Sequence, residues 1–120
     1  MIYLASPYSH PDAFVRERRF QAACEVAARL MQDGHHVFSP IAHSHAIAVQ
    51  GIPTDWTYWK TFDSHMLAAC GELAVLMLPG WRDSEGVQAE IDLAIELDLP
   101  IRFLDPIQDG LVQLPVGADT

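Results

Sequence analysis

ELAVLMLP, residues 72–79, is a nearly continuous apolar run. A strand with one wet face alternates apolar and polar residues. An unbroken run suits a central parallel strand buried on both faces. Its flanks agree. Before it, Thr54 or Asp55 can cap a helix running to about Ala69. After it, WRDSEGVQAEIDLAIEL, residues 81–97, reads as a turn entering a helix that closes before Pro100, and PIRFLD, residues 100–105, is a further strand.

The same alternation extends towards the N-terminus. MIYLA, residues 1–5, is strand one. Ser9 can cap the next helix, with Pro11 and Asp12 in its first turn. Phe20, Ala23, Cys24, Ala27, Leu30 and Met31 recur at helical spacing, and Gly34 suits the helix end. HHVFSP, residues 35–40, reads as strand two, stopped by Pro40. Residues 41–54, IAHSHAIAVQGIPT, have no clean period and read as a long functional loop. The expected fold is α/β, a flavodoxin-like or Rossmann-like doubly wound parallel sheet of four to five strands. It forms a single domain over residues 1–120. Residues 105–120 are a peripheral tail with a short strand at Leu111–Leu114. Ligands of such sheets bind beyond the carboxyl ends of the strands.

Composition narrows the function. Seven basic and 16 acidic residues give a formal net charge of −9, so no nucleic acid polymer is expected as partner. Arg16, Arg18 and Arg19 cluster, but one helical turn of arginines reads as a solvated face. No apolar run reaches membrane-span length and no signal-peptide pattern opens the chain, so a cytoplasmic protein with no membrane partner is expected. Cys24 and Cys70 fit buried, reduced thiols. No cofactor is expected, because GxGxxG, the P-loop and GxSxG are all missing. No metal is expected either. His43 and His45 would share a face of an extended segment, but zinc-ligand spacing is absent.

Two acids break the pattern. Glu90 falls among Val87, Ile91, Ala94 and Leu97, the core-facing stripe of its helix. Asp63 falls within a stripe of Trp56, Trp59, Met66 and Cys70. A carboxylate in an apolar place is paired, hydrogen-bonded or protonated. Two such acids on helices flanking one crevice suit a nucleophile and a general acid for glycosidic cleavage. Asp63 lies about eight residues into its helix, on the order of 12 Å along the axis, so its reach depends on where the helix begins. Asp83 or Ser84 can cap the later helix. With Arg82 beside it, that helix start suits an anion, and Trp81 could stack on a base.

Three anchors, IYLASP (residues 2–7), FDSHMLAACGELAVLML (62–78) and DSEGVQAEIDLAIELDLPI (83–101), give the chain a family resemblance. It resembles the nucleoside 2-deoxyribosyltransferase-like superfamily, and within it a small bacterial group described only as a domain of unknown function. The resemblance spans about residues 1–105. It implies that Glu90 is a nucleophile attacking the sugar's anomeric carbon, that Asp63 assists proton transfer, and that Tyr3 holds the Glu90 carboxylate. It places Ser84 and Gly86 at the substrate, with Ser6 in the first loop. It implies a small-molecule nucleoside or nucleotide substrate, a homo-oligomer, and cleavage or exchange of the N-glycosidic bond of a 2′-deoxynucleoside or its 5′-monophosphate. Serine at position 84 beside Arg82 points to the phosphate and to water as acceptor. The first loop, SPYSHP, departs from the family's glycine-rich turn: Ser6 and Pro7 replace small flexible residues, and proline offers no N–H. The C-terminal tail offers no match to the residue with which a neighbouring subunit completes family sites. The alternative is a non-catalytic nucleotide-binding or regulatory module, which the altered loop favours.

Overall fold

A computed structural model describes residues 1–110. Four strands make one sheet: β1 (Ile2–Ala5), β2 (Val37–Phe38), β3 (Glu72–Leu76) and β4 (Ile101–Leu104). All pairs are parallel and the order is β2-β1-β3-β4. Tyr3 pairs with Leu73, and Leu73 with Ile101. The chain winds outward from β1 to β2, then returns across β1 to β3 and β4. The reversal falls between β1 and β3, where a doubly wound sheet opens its crevice.

The strand period of two sorts the core into two layers. Ile2, Leu4, Ala74 and Leu76 face α1 (Ala13–Gln32), meeting Ala22, Val26, Ala27 and Leu30. Tyr3, Ala5, Leu73 and Val75 face the other way, onto Leu67 of α3 (Trp56–Ala69) and Val87 and Ala94 of α4 (Glu85–Glu96). Each fully buried leucine or valine contributes roughly 1.5–3 kcal/mol. Met31 and Leu97 end their helices beyond the sheet's cover and are exposed, which corrects their place in the core stripes. Cys70 is buried and Cys24 half-buried; both are free thiols.

Three expected boundaries are corrected. Asp12, not Ser9, caps α1: its side chain accepts from Phe14 N at 2.9 Å. Ser9 instead donates to the Thr54 carbonyl at 3.3 Å. The expected loop after Pro40 begins as a helix, α2 (Pro40–Ala48), with Ser39 Oγ accepting from Ala42 N at 3.1 Å. Pro40 starts that helix rather than merely stopping β2, since the first helical position needs no N–H. β2 shrinks to two residues, leaving His35 and His36 exposed. The expected strand at Leu111–Leu114 lies outside the described residues. Among the described residues, no helix is long and apolar enough to cross a membrane.

Candidate active site

Ser84 starts the site. Its Oγ accepts from Val87 N at 3.2 Å and caps α4 after a single 3-10 turn, Trp81–Asp83. Gly86 follows in the first turn. A Cβ there would lie 3.3 Å from Trp56 Cε3, so glycine lets the starts of α3 and α4 approach closely. Glu90 comes one turn later on the face turned to the sheet and is 5 % exposed. There Tyr3, fully buried on β1, donates its hydroxyl proton to Glu90 Oε2.

Asp63 approaches from α3 and is 7 % exposed. It lines one cavity of about 320 Å³ together with Glu90, Ser84, Gly86 and Ser6. The size is at the low end for a small-molecule site. Asp63 is two turns into α3, yet the cavity follows that helix down from Trp56 through Trp59, so the carboxylate is reached. Asp63 Oδ1 and Ser6 Oγ are buried and find no hydrogen-bond partner among the described residues. An unpaired buried polar atom costs about 1–3 kcal/mol, which a ligand's donors and acceptors would offset.

Burial controls the titration here. Desolvation pushes Asp63 up to about 7. Glu90 is pushed up to about 8 by desolvation, against the Tyr3 hydrogen bond, which lowers it, and with the Asp63 charge, which raises it. A nucleophile and an acid need the reverse order. The hydrogen bond decides between them, because the two acids titrate as a pair. Burial raises Tyr3 far above the ordinary phenol range, so its hydroxyl keeps its proton and donates to Glu90. An ionised carboxylate is the better acceptor. Asp63 Oδ1 meets no such donor among the described residues, so a proton shared by the pair belongs on Asp63.

Six of the eight site residues expected from sequence therefore come together: Tyr3, Ser6, Asp63, Ser84, Gly86 and Glu90. Arg82 and Trp81 do not join them. They line a second depression of about 460 Å³ with Asp105, Pro106 and Ile107. Trp81 packs against Phe103, ring centroids 5.7 Å apart, and the Arg82 guanidinium lies 5.3 Å from the Trp81 ring centre. The 3-10 turn separates Arg82 from Ser84 despite their closeness in sequence. His43 and His45 also part company, because two residues along a helix face different ways. His43 stacks on Phe62 at 5.1 Å and His45 on Phe20 at 4.1 Å. Among the described residues, no three His, Cys, Asp or Glu side chains could hold a metal ion together.

Sequence reasoning missed Tyr8, Ser44 and Thr57 in the cavity wall. The SP pair at 39–40 was the available signal for Ser44, since it announces the helix carrying it. The first loop is pinned rather than glycine-flexible. Ser6, Pro7 and Tyr8 are buried, Arg19 donates to the Ser9 carbonyl at 3.0 Å, and Arg16 donates to the carbonyls of His10 and Pro11. So two of the three clustered arginines hold the loop's backbone.

Fold and site together define a doubly wound α/β protein with two buried carboxylates in one crevice. Residues 1–104 match the family described as domain of unknown function DUF1937, and the chain belongs to that family. No curated protein matches it.

Proposed function

We propose that the protein cleaves the N-glycosidic bond of a 2′-deoxynucleoside by double displacement. The observation that carries this reading is the burial of Glu90 and Asp63 in one cavity, with Tyr3 donating to Glu90. The resemblance of three sequence anchors to the nucleoside 2-deoxyribosyltransferase-like superfamily supports it. Glu90 attacks the anomeric carbon and the bond to the base breaks. Asp63 gives its proton to the departing base nitrogen, an assistance worth about 10²–10⁴ in rate. Water then attacks the same carbon, Asp63 takes its proton, and the sugar leaves with Glu90 restored as carboxylate. A second base in place of water gives exchange.

No arginine or lysine of the described residues lines this cavity, whereas Asp55, Asp63, Asp83, Glu85 and Glu90 all do. A 5′-phosphate at Ser84 would thus lack the Arg82 guanidinium as partner, and the uncharged nucleoside is the better fit. The test is base release from a panel of 2′-deoxynucleosides and their monophosphates, followed chromatographically. Wild type is expected to release a base from at least one nucleoside, and Glu90→Gln to lose on the order of 10⁴-fold or more. A panel left intact by wild type refutes the cleavage. The pinned first loop favours one other reading, a binding module without turnover. Thermal stabilisation by a nucleoside with no product formed identifies it.

A further inference from the structure

The proposed cleavage uses the α3 and α4 side of the cavity. Another wall carries a second chain of groups. Tyr8 lines the cavity with Ser6 and Ser44. Its hydroxyl lies 2.7 Å from His45 Nδ1, and His45 Nε2 lies 2.7 Å from Glu17 Oε2. Phe20 stacks on the imidazole at 4.1 Å, so the ring cannot swing out without losing that contact. One residue each from the first loop, α2 and α1 are joined in line.

Glu17 sets the sense of donation. Hydrogen bonds from Gln21 and His45 hold its carboxyl below the ordinary range. It is therefore ionised and can only accept. Nε2 of His45 carries a proton, and in a neutral imidazole Nδ1 is then bare. Wherever the imidazole is neutral, its bare Nδ1 accepts and Tyr8 donates to it. Burial keeps the Tyr8 phenol protonated, and the Arg16 guanidinium, donating towards the same oxygen, leaves that proton no acceptor on its own side.

We propose that Glu17 and His45 are positioning residues that make Tyr8 a dedicated hydrogen-bond acceptor in the cavity, selecting a ligand with a hydroxyl or N–H donor at that place. The selection rests on reading the cavity as a substrate site. With its proton committed to His45, the Tyr8 oxygen offers the cavity only lone-pair density. A ligand hydroxyl is matched there. An ether oxygen in its place sets acceptor against acceptor and leaves both unpaired.

Two readouts separate the relay from the reaction. The ¹⁵N spectra of histidine-labelled protein report which imidazole nitrogen holds the proton. The Nε2–H form is expected for His45 in wild type, and a mixture of both forms in Glu17→Gln. A wild type dominated by the Nδ1–H form, or by the doubly protonated imidazolium, overturns the relay, whatever the protein's activity. Calorimetry then compares a 2′-deoxynucleoside with its 3′- and 5′-O-methyl ethers. Wild type is expected to bind one ether about ten-fold more weakly than the parent. Tyr8→Phe and His45→Phe are expected to bind that ether and the parent alike, with KM for the parent raised and kcat changed less than about two-fold. His45→Phe keeps a ring against Phe20, and circular dichroism checks its fold. Discrimination that survives in both variants, or that wild type lacks, overturns the selection. A wild type that binds neither parent nor ether overturns the substrate reading and the selection together, while the ¹⁵N spectra still decide the relay.

Discussion

Glu90 sits where its charge is least welcome, and that position is written into the stability of the protein. Burial pushes both acids of the pair up, Glu90 to about 8 from its ordinary 4.5 and Asp63 to about 7 from its ordinary 3.8, and the first proton lost is the one on Glu90, where Tyr3 donates to the carboxylate. The folded state therefore holds protons that the unfolded chain releases earlier. The resulting stabilisation is complete below about pH 4 and is lost as pH rises through about 8. Glu90→Gln keeps an acceptor for Tyr3 and removes the charge. The variant is expected to be more stable than wild type at pH 9 by about 2 kcal/mol, after allowance for water reaching the cavity, and nearly equal at pH 4.5. Urea midpoints at the two pH values measure this. Parallel pH profiles for the two proteins would remove the argument that burial strains Glu90. These two acids were legible in sequence because each interrupts an apolar stripe at helical spacing. Tyr8, His45 and Glu17 were not: they lie 37 and 28 residues apart along the chain, and no local pattern announces such a contact.

At the scale of elements, regular period decided what could be read. β3 declared itself by unbroken apolarity, and α1 and α4 by their stripes. α2 declared nothing, because PIAHSHAIA is apolar almost all round and buries only Pro40 and Ser44. Its cap was nonetheless present in Ser39. In α1 the expected cap, Ser9, gives way to Asp12, expected in its first turn, because Asp12 directly precedes the first helical residue. The cap serines of α2 and α4 give a paired prediction. Ser39→Ala and Ser84→Ala are each expected to cost about 1 kcal/mol, roughly 4 °C in melting temperature for a domain of this size. Only Ser84 lies in the cavity wall, so only its variant is expected to raise KM, several-fold, for the nucleoside. Calorimetric melting and steady-state kinetics test the pair. Equal KM effects from both serines would remove Ser84 from the substrate's surroundings.

Across the whole molecule, the sheet order brings the ends of β1 and β3 side by side, and Arg19 of α1 ties them. It donates to the Ser9 carbonyl at 3.0 Å and to the Pro79 carbonyl at 3.2 Å. Gly80, at φ 92°, makes room: a Cβ there would lie 2.9 Å from the Arg19 Nη2. A cation at the switch point of such a sheet is well placed for a phosphate, but this one is engaged by backbone carbonyls. The cavity wall beyond it carries five acidic side chains, of which Asp63 holds a proton, in a chain of formal net charge −9. A dianionic 5′-phosphate entering this field is repelled, and its uncharged parent nucleoside is not. KM for a 2′-deoxynucleoside 5′-monophosphate is therefore expected to exceed that of its nucleoside by about ten-fold or more near 10 mM salt, where charges act over about 30 Å. Near 300 mM salt the screening length falls below about 8 Å and the gap is expected to narrow several-fold. The nucleoside's own KM should barely move, which separates field repulsion from a general salt effect. Tighter binding of the monophosphate at low salt would mean that the start of α4 outweighs the surrounding carboxylates, and would return the phosphate to Ser84.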